Sequence, residues 1–343
     1  MNPKDPSNLR KVLLESPTQF KTGFEIAKNI KAEGEFDKIM ISGMGGSALP
    51  GNLLRIYLND LYKGADSKTT AVFQNRFYSL PHESFDKCLN LISSFSGTTE
   101  ESIASFKEAL ENKLPCIGIS SGGEIEKICK ENNIPHVKLP VPYPNFQPRT
   151  ATGYFFAAVL QILINHDLAP DSTTEILKMA DKLNEEIRQI EEHGKTIAKK
   201  LVGKTPIIYS SAKYKGVAMV WKIKFNEHAK TPAFWNFFPE LNHNEMIGYT
   251  NPQGKFIIIM LRDPQDNPKN LNRFVATKNL LTERGIDVEV IDLKGDNVFY
   301  NIVRSLALCE FSAYGRARED GQGPIPVEMV EKLNSMLSEM KCS

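Results

Sequence analysis

Two short loops carry the residues whose types and spacing are suited to binding a ligand. The first, "GMGGSA", has Gly43, Gly45 and Ala48 at the spacing of a loose dinucleotide fingerprint. A dinucleotide site also predicts an acidic residue at the end of the next strand, which binds the ribose. That strand ends "VFQNRF", so Asn75 and Arg76 stand where the acid is expected, although an arginine can bind a 2′-phosphate. The first loop alone therefore fits either a nucleotide site or a tight turn.

The second loop, "SSFSGTTEES", favours a phosphate. It follows an apolar strand and opens a helix, and hydroxyls with backbone N–H groups at a helix N-terminus form a cradle for phosphate. The alternative is that Thr98 or Thr99 only caps the helix. Two such loops at the ends of neighbouring strands predict a single phosphate, and not a dinucleotide, bound by Gly45, Gly46, Ser47, Ser94, Ser96 and Thr99.

The elements around these loops alternate between strand and helix patterns. "KIMIS", "TTAVFQN", "CLNLISS", "PCIGIS" and "PHVKL" read as strands in the first half, and "TPIIYSS", "KFIIIML" and "DVEVIDL" in the second. Strands that alternate with helices predict parallel sheets covered on both faces. We therefore expect an α/β fold with two similar halves, residues 1–168 and 169–343, each a three-layer α-β-α sandwich.

Composition limits the function further. The 343 residues include 42 basic and 41 acidic side chains, a net charge of +1, which predicts neither a nucleic-acid nor a membrane partner. The longest apolar run, "YFFAAVLQILI", is too short to span a bilayer, and the polar N-terminus lacks a signal-peptide core. Five cysteines without a CxxC spacing indicate core residues in a reducing cytoplasm. Six scattered histidines predict no metal site.

Two later stretches, "KFNEHAK" and "NHNEMIGY", join the two loops in the order seen in one family. Together the four motifs resemble the bifunctional phosphoglucose/phosphomannose isomerase family, which has two sugar isomerase (SIS) domains. The resemblance covers nearly the whole chain. It implies an enzyme that interconverts glucose 6-phosphate, and mannose 6-phosphate, with fructose 6-phosphate through an enediolate, without a metal or redox cofactor.

The resemblance also implies catalytic residues. Glu227, matched through "NExAK", is the family's proton-shuttling base; a carboxylate near a helix C-terminus is otherwise unfavourable. Arg149, which opens a long helix, stabilises the enediolate. Lys332 matches the family's late lysine by spacing alone, and an ordinary solvated lysine is an equal alternative. His228 is expected to take no part in the reaction.

His243 is matched to ring opening, a task suited to a group that titrates near neutrality. In the family this histidine enters the active site from the neighbouring subunit, so a homodimer with shared active sites is expected. Asn242 and Asn244 are expected to position the loop together with Glu245, which is also the alternative base. From the residue types alone, a lone histidine is more often structural or merely exposed, and it is the match to the family's "NHNE" that favours the role in ring opening.

One departure from the family concerns substrate range. The family usually has "DPT" before the last helix, with a threonine linked to mannose 6-phosphate, whereas this chain has "GQGPIP" with Ile325 at that place. An apolar side chain forms no hydrogen bond to a sugar hydroxyl, so phosphomannose activity is less secure. The alternatives are a non-catalytic phosphosugar-binding regulator, another sugar-phosphate isomerase such as an amino-sugar enzyme, and a nicotinamide-dependent reductase.

Overall fold

A computed structural model describes residues 8–63, 69–144 and 146–340, which form two parallel sheets with helices between the strands. The first half contains α1 Leu9–Glu15, α2 Gln19–Ala27, β1 Lys38–Ser42, α3 Gly45–Leu61, β2 Ala71–Asn75, β3 Cys88–Ser93, α4 Glu100–Glu111, β4 Cys116–Ser120, α5 Gly123–Glu131, β5 His136–Lys138 and α6 Thr152–Asn165. The second half contains α7 Thr173–Lys200, β6 Thr205–Ser211, α8 Lys215–Glu227, β7 Phe234–Phe238, β8 Phe256–Arg262, α9 Pro268–Glu283, β9 Asp287–Asp292, α10 Val298–Glu319 and α11 Glu328–Met340.

The first sheet has the strand order β2-β1-β3-β4-β5, with every pair parallel. Ile39 of β1 lies between Val72 of β2 and Leu89 of β3, and these apolar runs are buried. The order changes direction between β1 and β3. In open α/β sheets, ligands bind outside the carboxyl ends of the strands at such a switch point, and the two Gly/Ser loops follow these two strands.

The second sheet has the order β7-β6-β8-β9 and is also parallel. The predicted parallel sheets flanked by helices are therefore confirmed. The edge strand β7, Phe234–Phe238, was absent from the sequence prediction because "FWNFF" is short, aromatic and lacks an alternating pattern. Helix α8 ends at Glu227, earlier than the predicted end at the Thr231–Pro232 break.

The two halves share one continuous apolar core. Gly216 of α8 lies so close to α3 that an added Cβ would be 3.1 Å from Asn52 Cβ, and Gly194 of α7 similarly meets Phe311 of α10. The N-terminal helices α1 and α2, which the sequence reading did not predict, pack into this core. At its edge, the buried Glu191 carboxylate accepts a hydrogen bond from Arg10.

Two predictions about side chains and membranes can also be compared with the structure. Cys88, Cys116, Cys129 and Cys309 are buried free thiols, as predicted for core residues; Cys342 lies outside the described residues. Burial raises the pKa of the Cys88 thiol to about 12, so it is protonated at neutral pH. Within the described ranges, none of the helices has the length and apolar character needed to cross a membrane.

Candidate active site

The first Gly/Ser loop turns the chain directly from β1 into α3, which begins at Gly45. Gly43 has no room for a side chain, because an added Cβ would lie 2.6 Å from the Ser93 carbonyl oxygen at the end of β3. No side chain caps the start of α3. The first-turn N–H groups of a helix carry partial positive charge and bind anions, so Gly45 and Gly46 provide main-chain donors at the switch point.

The second loop gathers its hydroxyls into one cluster. Ser94 Oγ lies 2.8 Å from Thr99 Oγ1 and 3.4 Å from Ser96 Oγ, and Ser96 Oγ lies 2.9 Å from Thr98 Oγ1. Thr99 is the N-cap residue of α4, but its side chain makes no capping hydrogen bond. Ser94 Oγ and Ser96 Oγ also accept the Gly97 and Thr98 N–H groups of the same loop, so the hydroxyls bond within the loop and do not cap α4.

Hydrogen bonds join the two loops. Ser47 Oγ accepts the Phe95 N–H at 2.9 Å, and Ser93 Oγ donates to the Ser47 carbonyl at 3.0 Å. Ser47 is thus buried, and both its hydroxyl and its carbonyl help to hold the two loops together. The six residues predicted for a phosphate site are brought together at one edge of the first sheet.

A third loop, 120–123, supports the second and was not singled out in the sequence. Gly97 has a φ of +74°, and an added Cβ would lie 1.8 Å from the Gly122 carbonyl oxygen. Ser121 donates its backbone N–H and its hydroxyl to the Phe95 carbonyl. Only glycine fits at Gly97, since both the left-handed backbone and the close approach exclude a side chain.

Arg149 is buried and packs against the first loop. Its Nε donates to His228 Nδ1 at 3.3 Å, and its Nη2 donates to the Pro324 and Ile325 carbonyls at 3.1 and 2.9 Å. Its Nη1 lies 3.5 Å from a Glu227 carboxylate oxygen. Burial lowers the pKa of Arg149, and the neighbouring carboxylates of Glu227 and Glu310 oppose this shift, so the guanidinium remains charged at neutral pH.

The first loop and Arg149 touch. An added Cβ on Gly46 would lie 3.0 Å from both Arg149 Cα and the Pro148 carbonyl oxygen. Arg149 belongs to the short 3₁₀ helix Pro148–Thr150 that precedes α6. The absence of a side chain at Gly46 therefore lets the predicted phosphate loop pack directly on the backbone that carries the arginine.

Glu227 is the last residue of α8, as the sequence reading anticipated for a carboxylate near a helix end. Its side chain is one-third exposed, whereas that of Arg149 is only 3% exposed. It lines a cleft of about 790 Å³ together with Lys230 and with Pro326, Glu328 and neighbouring residues at the start of α11. The carboxylate thus contacts a buried cation on one side and an open cleft on the other.

The structure adds residues that sequence reasoning missed. His228, expected to take no part, is fully buried and accepts the Arg149 Nε–H at Nδ1. Burial, reinforced by the Arg149 and Lys224 cations, holds the pKa of His228 well below its usual value, so the ring is neutral. The buried Lys224 ammonium pairs with Glu310 and donates to the Arg149 carbonyl. His228 thus holds the side chain of Arg149, and Lys224 holds its backbone.

His243 is exposed. The predicted polar loop folds into two 3₁₀ helices, Glu240–His243 and Glu245–Thr250. Asn244 Oδ1 accepts the Glu245 N–H at 2.6 Å, and Asn242 donates to Thr277 Oγ1 at 2.9 Å. The asparagines hold the loop as expected, and His243 is not among the residues that line the cleft of Glu227.

Lys332 is exposed on α11 and does not line the cleft of Glu227. Its neighbours one turn earlier, Glu328 and Met329, do line it. Ile325 packs its side chain against the core and uses its carbonyl to accept from Arg149. At the position where the family has a threonine, the Ile325 carbonyl therefore contacts Arg149. The apolar side chain of Ile325 packs against the core.

Comparison with known proteins identifies the family. A bifunctional phosphoglucose/phosphomannose isomerase of Caldicellulosiruptor bescii is 33% identical over 342 residues, which cover 95% of this chain and 97% of that protein. The chain belongs to this family. The model of the bacterial phospho-glucose isomerase C-terminal SIS domain also matches residues 190–337.

A solved structure has the same fold, and a further relative is similar in sequence. A hypothetical protein of Thermus thermophilus superposes with a TM-score of 0.73 at 13% identity, over 96% of this chain and 90% of its own. A D-glucosamine-6-phosphate 4-epimerase of Sulfolobus acidocaldarius is 31% identical over 69% of this chain and 72% of its own. The predicted membership of the bifunctional phosphoglucose/phosphomannose isomerase family is confirmed, and the chain is an isomerase of sugar phosphates.

Proposed function

We propose that the protein interconverts glucose 6-phosphate and mannose 6-phosphate with fructose 6-phosphate. One observation carries the proposal: the Arg149 guanidinium and the Glu227 carboxylate lie 3.5 Å apart, beside the loop expected to bind phosphate. Aldose–ketose isomerisation needs a base that moves a proton and a cation that stabilises the enediolate. This pair supplies one group of each kind, with Glu227 at the cleft and the Arg149 guanidinium buried beside it.

The remaining groups complete the reaction. The two loops bind the phosphate, and the partner subunit's His243 opens the sugar ring by proton transfer. Glu227 takes the proton from carbon 2 of the open aldose and returns it to carbon 1, while Arg149 stabilises the negative charge on the enediolate oxygens. The neutral His228 and the Lys224–Glu310 pair keep the guanidinium in place.

Glu227 is favoured over Glu245 as the base by their contacts. One Glu245 oxygen accepts from the Tyr209 hydroxyl and the other accepts from the Asn236 amide. A carboxylate with both oxygens engaged is poorly placed to take a carbon-bound proton. Glu227 instead borders an open cleft.

We also propose a domain boundary between residues 168 and 169, a homodimer with shared active sites and a cytoplasmic location. The connection between α6 and α7 contains Asp167, whose backbone is left-handed with a φ of +56°. The exposed His243 supports a shared site, because it does not line the cleft of Glu227 in its own chain and is accessible to a partner. Four buried free thiols support a reducing compartment.

The substrate proposal is tested by supplying fructose 6-phosphate and measuring both aldose phosphates with coupled dehydrogenase assays. We expect glucose 6-phosphate to appear, and mannose 6-phosphate to appear more slowly, since Ile325 offers no side-chain hydrogen bond. Absence of both products would contradict the proposal. Glucosamine 6-phosphate is assayed in parallel because the Sulfolobus relative is a 4-epimerase; its conversion without any change in fructose 6-phosphate would favour that second activity.

The phosphate loops are tested by replacing Ser96 and Thr99 together with alanine. The loss of two hydroxyl donors is expected to raise KM about 10-fold or more, while kcat falls less, because the phosphate contacts persist through the reaction. Steady-state kinetics on glucose 6-phosphate measure both constants. The matched control replaces the exposed hydroxyls of Thr18 and Thr196 with alanine, and an unchanged KM in the Ser96/Thr99 variant would remove these loops from the phosphate site.

A further inference from the structure

A second cavity lies at the carboxyl end of the second sheet. In the order β7-β6-β8-β9, the direction of the chain changes between β6 and β8, and open α/β sheets bind ligands outside such a switch point. The segments that follow these two strands, 212–214 and 263–267, both contribute residues to a cavity of about 390 Å³. Within the described ranges, this cavity shares no lining residue with the cleft of Glu227.

Helix α3 of the first half forms the third wall of the cavity. Asn52, Arg55 and Asn59 line it, and their spacing places them on one face of the helix. The two walls touch where Gly216 of α8 packs against Asn52. The cavity is therefore already formed between the two halves of the chain, and its volume lies within the range of small-molecule sites, about 300–1,000 Å³.

One buried carboxylate joins the walls. Asp263, which is 3% exposed, accepts the Gln265 N–H at 2.8 Å with one oxygen and the Lys213 ammonium at 3.2 Å with the other. Lys213 also lies 3.5 Å from a carboxylate oxygen of Asp60 on α3. This ion-pair network holds both loops and α3 together, and it neutralises Lys213.

Three other cations at the cavity are not neutralised. Arg55, Lys63 and Lys215 line it, and no ion pair joins them to a carboxylate in the part of the chain that the structure describes. Arginine and lysine donors are well suited to phosphate oxygens. Helix α8 begins at Lys215 without a side-chain cap, so its first-turn N–H groups add to the attraction for an anion.

Asp266 offers the opposite kind of contact. Its Oδ1 accepts the Asn267 N–H at 2.6 Å and the Asn270 amide at 3.3 Å. Its Oδ2 is buried and has no hydrogen-bond partner among the described residues. A buried carboxylate oxygen without a donor is costly, so a hydroxyl group on a ligand would stabilise it.

We propose that this cavity is a second binding site, for a small phosphate monoester that also carries hydroxyl groups. The phosphate contacts Arg55, Lys63 and Lys215, and a hydroxyl donates to Asp266 Oδ2. An ordinary solvated groove between two halves of a chain explains neither the unneutralised cations nor the unpaired buried oxygen. The inference goes beyond the proposed isomerase function and does not depend on it.

The number of ligands bound per chain provides the test. The probe is sorbitol 6-phosphate, which carries a phosphate and hydroxyls but has no carbonyl group to isomerise. Calorimetric titration is run on the wild type, on Ser96→Ala with Thr99→Ala, on Arg55→Gln with Lys215→Gln, and on the four changes combined. We expect two ligands per chain in the wild type, one in each double variant and none in the combined variant, since the loss of two charge-assisted contacts weakens a site about 100-fold.

The matched control for the cavity variant is Lys178→Gln with Lys199→Gln. Both lysines are exposed on α7 and do not line the cavity, so the same change in net charge should leave two ligands per chain. Lys213 is not replaced, because its loss would leave the buried Asp263 without its cation. Thermal unfolding shows that each variant is folded.

Asp266→Asn tests the hydroxyl contact. The asparagine keeps one oxygen for the Asn267 and Asn270 donors but presents an N–H₂ donor in place of the unpaired oxygen. In the Ser96/Thr99 background, we expect the affinity for sorbitol 6-phosphate to fall about 10-fold. The affinity for sulfate, an anion without hydroxyls, should stay the same or rise because a negative charge is lost.

Each outcome decides the proposal. A wild type that binds one ligand per chain, or an Arg55/Lys215 variant that still binds two, would overturn the inference. So would an Asp266→Asn variant that binds sorbitol 6-phosphate as tightly as its parent. If the Ser96/Thr99 variant binds two ligands and the Arg55/Lys215 variant binds one, the inference holds and the proposed phosphate loops fail instead.

Discussion

Glu227→Gln is expected to lower kcat on glucose 6-phosphate by about 10³-fold while the protein still binds a phosphosugar. The amide keeps the shape of the side chain and can still contact Arg149, but it cannot take a proton from carbon 2. The loss lies in the chemical step, so KM should change little. Coupled kinetics measure the rate, and calorimetric titration with glucose 6-phosphate measures binding to the inactive variant.

The matched control for this variant is Glu283→Gln. Glu283 is likewise the last residue of a helix, α9, but it is exposed. Its replacement changes the charge at a helix C-terminus without reaching Arg149, so normal turnover is expected. If Glu227→Gln keeps more than a few per cent of turnover, the base is not Glu227, and Glu245→Gln becomes the variant to measure.

A mixture of two inactive proteins is expected to regain activity. Glu227→Gln lacks the proposed base and His243→Ala lacks the proposed ring-opening group, so each homodimer is inactive. Hybrid dimers recover activity if each site combines the two residues from different chains. After dissociation and reassociation, about half of the dimers are hybrids, and each hybrid has one site with both residues intact. About a quarter of all sites should therefore recover.

The structural reason is that His243 does not line the cleft of Glu227 in its own chain. His243 is exposed on its 3₁₀ helix, whereas Glu227 borders a cleft that His243 does not line. Activity before and after subunit exchange is the measurement, with exchange shown by two differently tagged chains. Each variant exchanged with itself is the control, and a hybrid mixture as inactive as these controls would mean that both residues act from one chain.

Local sequence was enough to predict most of the sheets and both Gly/Ser loops. Buried parallel strands appear as short apolar runs such as "KFIIIML", and loops that follow neighbouring strands necessarily meet at one sheet edge. β7 was missed because an aromatic edge strand after Pro232 has neither an apolar run nor an alternating pattern. Helices α1 and α2 were missed because their stability depends on packing into the shared core.

The details of the site could not be predicted in the same way. The contact of His228 with Arg149 joins residues that are 79 positions apart in the chain. The left-handed backbone of Lys230, with a φ of +54°, has no sequence signal, since the usual marker of that conformation is glycine or asparagine. Burial, backbone angle and distant contacts give the lysine of "NEHAK" its place beside the cleft.

The close packing of Gly46 on Arg149 also limits how the enzyme could change during evolution. A loop remodelled to accept a different anion would displace the backbone of Arg149, the residue proposed to stabilise the enediolate. Adaptation to new substrates is therefore easier on the side of the sugar, near Ile325, than on the side of the phosphate. If the proposed roles hold, a change in the phosphate loop also changes the position of the arginine, whereas the sugar side can change without moving it.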